Sequence, residues 1–99
     1  MVRGTTPTVS FEFSLVNPND IAVAYLTISQ REKTVIEKDI STAVVGTKTL
    51  SWDLSQTDTL KLEKGTAEIE CRYRTTDNKA YKTKTIEEKV EDIQKGGEI

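Results

Sequence analysis

Apolar and polar residues alternate with a period of two along most of this chain, the period that a half-buried strand produces. Thr8 to Ser14 opens the pattern, with Val9, Phe11 and Phe13 on one face and Ser10 and Glu12 on the other. Asn17-Pro18-Asn19-Asp20 then breaks it, because Pro18 has no N–H to give and Asn and Asp favour turns. Ile21 to Gln30 is apolar and long enough for a central strand, with Ala24, Leu26 and Ile28 as its inward set. Arg31-Glu32-Lys33 reads as a hairpin turn into a strand over Thr34 to Ile40, although no Asn-Gly or Asp-Gly marks it.

Gly46 separates the next segment, Thr47 to Leu54, in which Leu50, Trp52 and Leu54 share a face. Trp52 is the only tryptophan and is expected at the centre of the core. Its ring would bury roughly 200 Å² there, and its indole N–H would need an acceptor. Ser55 to Leu60 predicts one helical turn, capped by Ser55 with Asp58 as the acidic partner, that carries the chain from one sheet to the other. After a turn at Lys64-Gly65, Thr66 to Thr75 gives the clearest alternation. Ala67, Ile69, Cys71 and Tyr73 face one way; Glu68, Glu70, Arg72 and Arg74 face the other.

Asp77-Asn78 predicts a tight hairpin with a return strand from Ala80. A two-residue turn there sets Tyr73 opposite Lys82, Cys71 opposite Lys84 and Ile69 opposite Ile86, which leaves two lysines on the core face. Either their stems snorkel at the sheet margin or a bulge between Lys82 and Thr85 shifts the register; the bulge is the preferred reading. Thr85 to Glu88 also matches a capping box, and Ile86, Val90 and Ile93 have helical spacing. A strand through Val90 is preferred because a sandwich needs its last strand.

Short strands at close spacing argue for an all-β antiparallel sandwich of six or seven strands and against βαβ units. Its inner layer should hold Trp52, Leu26, Ile28, Phe11, Phe13 and Ile69. Fifteen threonines agree with this, since β-branched residues favour extended backbone. Ninety-nine residues allow a single domain spanning 1–99, with 1–7 as a flexible N-terminal arm and 94–99 as a frayed tail.

Composition narrows the chemistry. There is no histidine, so imidazole bases, Ser-His-Asp arrangements and imidazole zinc sites do not apply. A net charge of −2, from 14 Lys+Arg and 16 Asp+Glu, supplies no basic field for nucleic acid. One cysteine, Cys71, forms no intramolecular disulfide, and its place between Ile69 and Tyr73 fits a buried thiol better than a nucleophile. No apolar run approaches the ~18 residues of a membrane span, and the first residues lack the apolar stretch of a signal peptide. No membrane association is expected. Asp53 with Asp58, and Glu87, Glu88, Glu91 and Asp92, match no calcium-loop spacing and read as solvated faces. The expectation is a non-enzymatic protein with no catalytic, cofactor or metal residue and no small-molecule substrate.

One cluster invites a partner. Arg72, Arg74, Lys79, Lys82 and Lys84 gather positive charge at the last hairpin, with Tyr81 near the tip. This is either a surface for an anionic partner or an edge hairpin kept soluble by its charges.

Three segments carry a resemblance: Arg3-Gly4-Thr5-Thr6-Pro7-Thr8 at the start, Leu54-Ser55-Gln56-Thr57-Asp58-Thr59-Leu60 in the middle, and Lys89-Val90-Glu91-Asp92-Ile93 near the end. Together the chain resembles small prophage-encoded proteins of Gram-positive bacteria, which share an R-G-T-T-P-like start, an L-x-Q-x-D-T-L-like segment and a closing V-E-D-like run. It departs from them at Asp77-Asn78, where a D-G turn is usual, and at Glu87-Glu88, where apolar strand residues are usual. The resemblance implies an immunoglobulin-like β-sandwich of a phage tail or baseplate module. It implies a structural or adaptor role through other phage structural proteins or self-association, and a place in the virion or the host cytoplasm. It carries over no functional residue. A module for a host surface glycan or protein, or a regulator of a host protein, is the alternative.

Overall fold

The computed structural model describes residues 1–99. In chain order the elements are β1 (Thr8–Glu12), β2 (Ile21–Gln30), β3 (Lys33–Asp39), β4 (Val44–Val45), β5 (Thr49–Asp53), α1 (Gln56–Leu60), β6 (Gly65–Thr75), β7 (Ala80–Lys82) and β8 (Ile86–Val90). One antiparallel sheet runs β1-β5-β4; the other runs β3-β2-β6-β7, with β8 also paired to β6. Because β7 and β8 follow each other along one edge of β6, they act as one interrupted return strand. Consecutive strands β1 and β2 lie in different sheets, and α1 crosses from β5 back to β6. This is an immunoglobulin-like all-β sandwich in its strand order.

The period-two pattern decides which faces meet. Ala24, Leu26 and Ile28 of β2 and Ala67, Ile69 and Cys71 of β6 are buried against Phe11, Leu50 and Trp52 from the opposite sheet. All six expected core residues are buried, Trp52 at 1% exposure. Its indole N–H finds its acceptor in the Asp39 carbonyl at 2.8 Å, and Phe11 meets its ring edge-on at 6.1 Å. The crossover helix is capped as its sequence requires. Ser55 Oγ accepts the Asp58 N–H at 3.1 Å, and the Asp58 carboxylate accepts the Ser55 N–H at 3.0 Å.

Several boundaries differ from the pattern. The first strand ends at Glu12, although Phe13 stays buried and its N–H still reaches the Lys48 carbonyl at 2.8 Å. β3 begins at Lys33, because Arg31 and Glu32 both take positive φ (52° and 65°) and make a two-residue turn. The two-residue β4 was not legible in the sequence: both of its valines are exposed, so no alternation marks it.

The last hairpin corrects the predicted register. Only Asn78 takes positive φ, whereas the two-residue turn expected at Asp77-Asn78 needs it twice. The loop is therefore three residues, Thr76-Asp77-Asn78, closed by the Thr75 N–H on the Lys79 carbonyl at 2.9 Å. Tyr73 consequently faces Tyr81, not Lys82, and Thr83, not Lys84, stands against Cys71. Lys84 and Thr85 then share the place opposite Glu70, which restores the expected pairing of Ile69 with Ile86. The bulge lies between Lys82 and Thr85 as expected, but it is the longer loop that sets Lys82 opposite Arg72 on the outer face, and the bulge that returns Ile86 to Ile69. Beyond it the chain is strand to Val90, which is fully buried, and not helix.

The first residues run beside this return strand. Val2 forms a parallel bridge with Glu91, and the Arg3 guanidinium reaches the Leu62 carbonyl at 2.5 Å, the Leu60 carbonyl at 3.1 Å and Asp92 at 2.7 Å. At the other terminus, the Gln56 side chain exchanges hydrogen bonds of 2.8 and 3.0 Å with the Ile99 backbone. No helix is long and apolar enough to cross a membrane.

Candidate functional site

The β6–β7 hairpin carries the predicted basic cluster, and the strand period divides that cluster between two faces. Arg72 and Arg74 alternate with the buried Cys71 and half-buried Tyr73, so both stand on the outer face of the larger sheet. Lys82 pairs opposite Arg72 and joins them there. Lys79 sits at the end of the loop. Tyr81 points the other way and stacks on Tyr73 with ring centroids 5.4 Å apart and planes 23° apart. Phe13 meets Tyr73 edge-on at 5.0 Å, which closes this end of the sandwich with three aromatic rings. Lys84, in the bulge, borders a shallow groove of about 280 Å³ with Phe13, Leu15 and Tyr73. Arg72, Arg74 and Lys82 are thus brought together, while Tyr81 and Lys84 belong to a separate margin.

The partners of these cations differ. Lys82 Nζ lies 2.9 Å from a Glu70 carboxylate oxygen, and the same ammonium donates to Thr85 Oγ1 at 3.0 Å. The Lys82 hydrogen bond, working against partial burial, holds the Glu70 carboxyl below its usual range. Arg74 donates to the Asn78 side chain at 3.1 Å and steadies the loop. Neither arginine forms an ion pair within the chain; of the five ion pairs, only Lys82–Glu70 lies in this cluster.

The sequence reading missed Tyr25. It is directly opposite Arg72 across the β2–β6 ladder and 44% exposed. The signal was present: Tyr25 lies between the inward residues Ala24 and Leu26, so it had to face outward. Val23, Tyr25, Arg72, Arg74 and Ala80 line a dent of about 200 Å³ on this face. An exposed tyrosine beside two arginines has the composition that protein interfaces favour.

The remaining candidates for chemistry are occupied by structure. Cys71 is fully buried, and burial pushes its thiol up to about 12, far from a reactive thiolate. Asp53 accepts the Thr8 hydroxyl at 2.6 Å, and Asp58 caps α1. In the acidic run, Glu88 pairs with the Met1 ammonium at 2.8 Å and Asp92 with Arg3. No three His, Cys, Asp or Glu side chains converge as metal ligands do. The largest cleft, about 470 Å³, is open and lined by no hydrophobic residue, its walls including Gln30, Arg31, Glu63 and Glu87. Ligand pockets are mostly apolar with a few placed polar groups, and this cleft is the reverse.

Comparison with protein-family profiles, with curated protein sequences and with solved structures finds no match to this chain.

Proposed function

We propose that this protein is a non-enzymatic structural or adaptor component of a phage particle, tail- or baseplate-associated, acting through protein–protein contacts. The observation that carries the contact role is the outer face of the larger sheet, where Tyr25, Arg72 and Arg74 stand exposed together with the arginines unpaired. Sheet faces in a two-layer sandwich are ordinarily one packed and one solvated, and a solvated face needs charge but not an exposed aromatic ring beside arginines. The phage setting is supported by the resemblance of the Arg3–Thr8, Leu54–Leu60 and Lys89–Ile93 segments to prophage-encoded proteins.

The test is mass spectrometry of purified particles after induction of the prophage. Several copies per particle are the expected result, and a chain in which Arg72 and Lys82 are both reversed to Glu should be depleted from particles although it folds. Clear expression in induced cells with no copies in particles would overturn the structural reading.

A further inference from the structure

The outward residues of β6 read Arg74, Arg72, Glu70, Glu68 from its end toward its start, two cations followed by two anions. The neighbouring strand reinforces this division. Arg72 is directly opposite Lys82, and Glu68 directly opposite Glu87. Like charges placed opposite one another weaken a sheet. Here they do so twice on one face, with the sign reversed between the two ends. Arg72, Arg74, Glu68 and Glu87 have no ion-pair partner within the chain. Glu37, opposite Thr27, adds to the acidic end; Asp39, opposite Tyr25, is a carboxylate at the basic end, engaged by the Ser41 N–H of its own loop at 2.9 Å.

We infer that this face docks on the same face of a second copy of this chain. Consider a two-fold axis lying between the two faces, running across the strands at the level of Cys71. It turns β6 end for end over its own copy, so Arg72 meets the second copy's Glu70 and Arg74 meets its Glu68. Each pair occurs twice, as an isologous contact requires. Tyr25, level with Arg72, flanks the axis and supplies the apolar part of the contact. A uniformly acidic partner would satisfy the arginines but repel the unpaired Glu68 and Glu87. Only a surface divided in the same way answers both ends, and this chain carries one.

The area sets the strength. Three strands about 4.8 Å apart and four outward rows about 6.7 Å apart cover on the order of 400 Å² per copy. That is about half the ~800 Å² per partner of a standard stable interface, so the dimer is weak, concentration-dependent and sensitive to salt.

This inference rests on the reading of the chain as a contact protein, and the two fail separately: particle proteomics tests that reading, sedimentation tests the dimer. Sedimentation equilibrium of the purified chain in roughly 10 mM salt should show self-association that fades at about 150 mM, as the screening length falls from ~30 to ~8 Å. Arg74→Glu alone, or Glu68→Arg alone, should weaken association by roughly tenfold or more. An equimolar mixture of the two variants should form a heterodimer, and the double variant R74E/E68R should dimerise again. A chain that stays monomeric at millimolar concentration and low salt would overturn the inference. So would a dimer indifferent to both charge reversals, which would place the contact on another surface. Circular dichroism of each variant confirms that these exposed substitutions leave the fold intact.

Discussion

Lys38 on β3 and Asp58 in α1 meet at 3.0 Å across the mouth of the sandwich, joining the edge of one sheet to the helix that leaves the other. The same carboxylate accepts the Ser55 N–H, so a single aspartate holds both the helix cap and the inter-sheet contact.

Burial opposes the charge on Asp58, but the Ser55 N–H, Lys38 and the Ser55 hydroxyl outweigh it and hold the carboxyl below its ordinary value. A carboxyl with a depressed folded-state pKa contributes stability above its unfolded value, near 3.9, and loses it as pH falls through the folded value. Asp58→Asn should therefore cost about 1–3 kcal/mol at neutral pH. The gap between wild type and variant should narrow below about pH 4. Urea unfolding followed at pH 7 and at pH 3 measures both quantities, and a gap of constant size would mean that Lys38 and the cap do not depend on the charge.

Trp52 is the largest buried side chain and is anchored at both ends, by Phe11 on its ring and by Asp39 on its N–H. Trp52→Ala should cost about 3–5 kcal/mol through the cavity it leaves. Trp52→Phe keeps most of the volume but strands the Asp39 carbonyl, and about 1–3 kcal/mol is expected. Circular dichroism melts of the two variants separate packing from the hydrogen bond. A Trp52→Phe chain as stable as the wild type would mean that the bond contributes nothing, and equal losses in the two variants would mean that the cavity adds nothing to it.

The Arg31-Glu32 turn offers a gain. Both residues sit at positive φ, a conformation that costs an ordinary side chain about 1–2 kcal/mol and glycine almost nothing. The Arg31–Glu63 ion pair beside it is well exposed and adds little. Glu32→Gly should raise stability by about 0.5–1 kcal/mol, after the entropy that glycine returns to the unfolded chain. A higher urea midpoint with an unchanged slope is the expected signature.

How much of this was legible in the sequence depends on whether a residue's place is set by period or by turn geometry. The inward sets of β2 and β6 follow from alternation alone, because one face is buried and a one-residue slip would expose all of it. The capping box was legible for the same reason: Ser55 and Asp58 act on their own neighbours. The hairpin tip was not. Choosing a two- or a three-residue loop turns on whether Asp77 accepts positive φ, and in the fold its carboxylate accepts the Thr75 hydroxyl while Asn78 alone adopts that backbone. That choice put Tyr81 on Tyr73 and divided the basic cluster between two faces. Tyr25 became part of the site only through the β2–β6 register, a long-range pairing that no local pattern encodes.

Cys71 gives an alkaline prediction. Its thiol is neutral in the fold and pushed up to about 12 by burial, whereas in the unfolded chain it ionises near 8.5. A raised folded-state pKa stabilises below the unfolded value and loses that contribution as pH rises toward the folded one. Stability should thus decline from about pH 9 toward pH 12. Tyr73, raised first by burial and then by Cys71 and Tyr81, adds to the loss at the upper end. Cys71→Ala should be less stable at pH 7 but show a shallower alkaline slope. A thiol reagent should label the wild type only after unfolding, and rapid labelling of the native chain would contradict the burial.

Thr83 is the residue on which the bulge turns. Its N–H donates to the Cys71 carbonyl at 2.9 Å, and its hydroxyl oxygen accepts the Cys71 N–H at 3.0 Å, taking the place a strand carbonyl would hold in an unbroken ladder. That substitution lets the chain carry an extra residue opposite Glu70 without orphaning the backbone of the most deeply buried part of β6. Thr83→Val keeps the shape and removes the acceptor, so it should cost about 1–3 kcal/mol. Thr83→Ser keeps the oxygen and should cost much less. Hydrogen exchange at the Cys71 amide reads the mechanism directly: faster in Thr83→Val than its loss of global stability explains, and slow in Thr83→Ser. Equal exchange in the two variants would show that the ladder closes there without the hydroxyl.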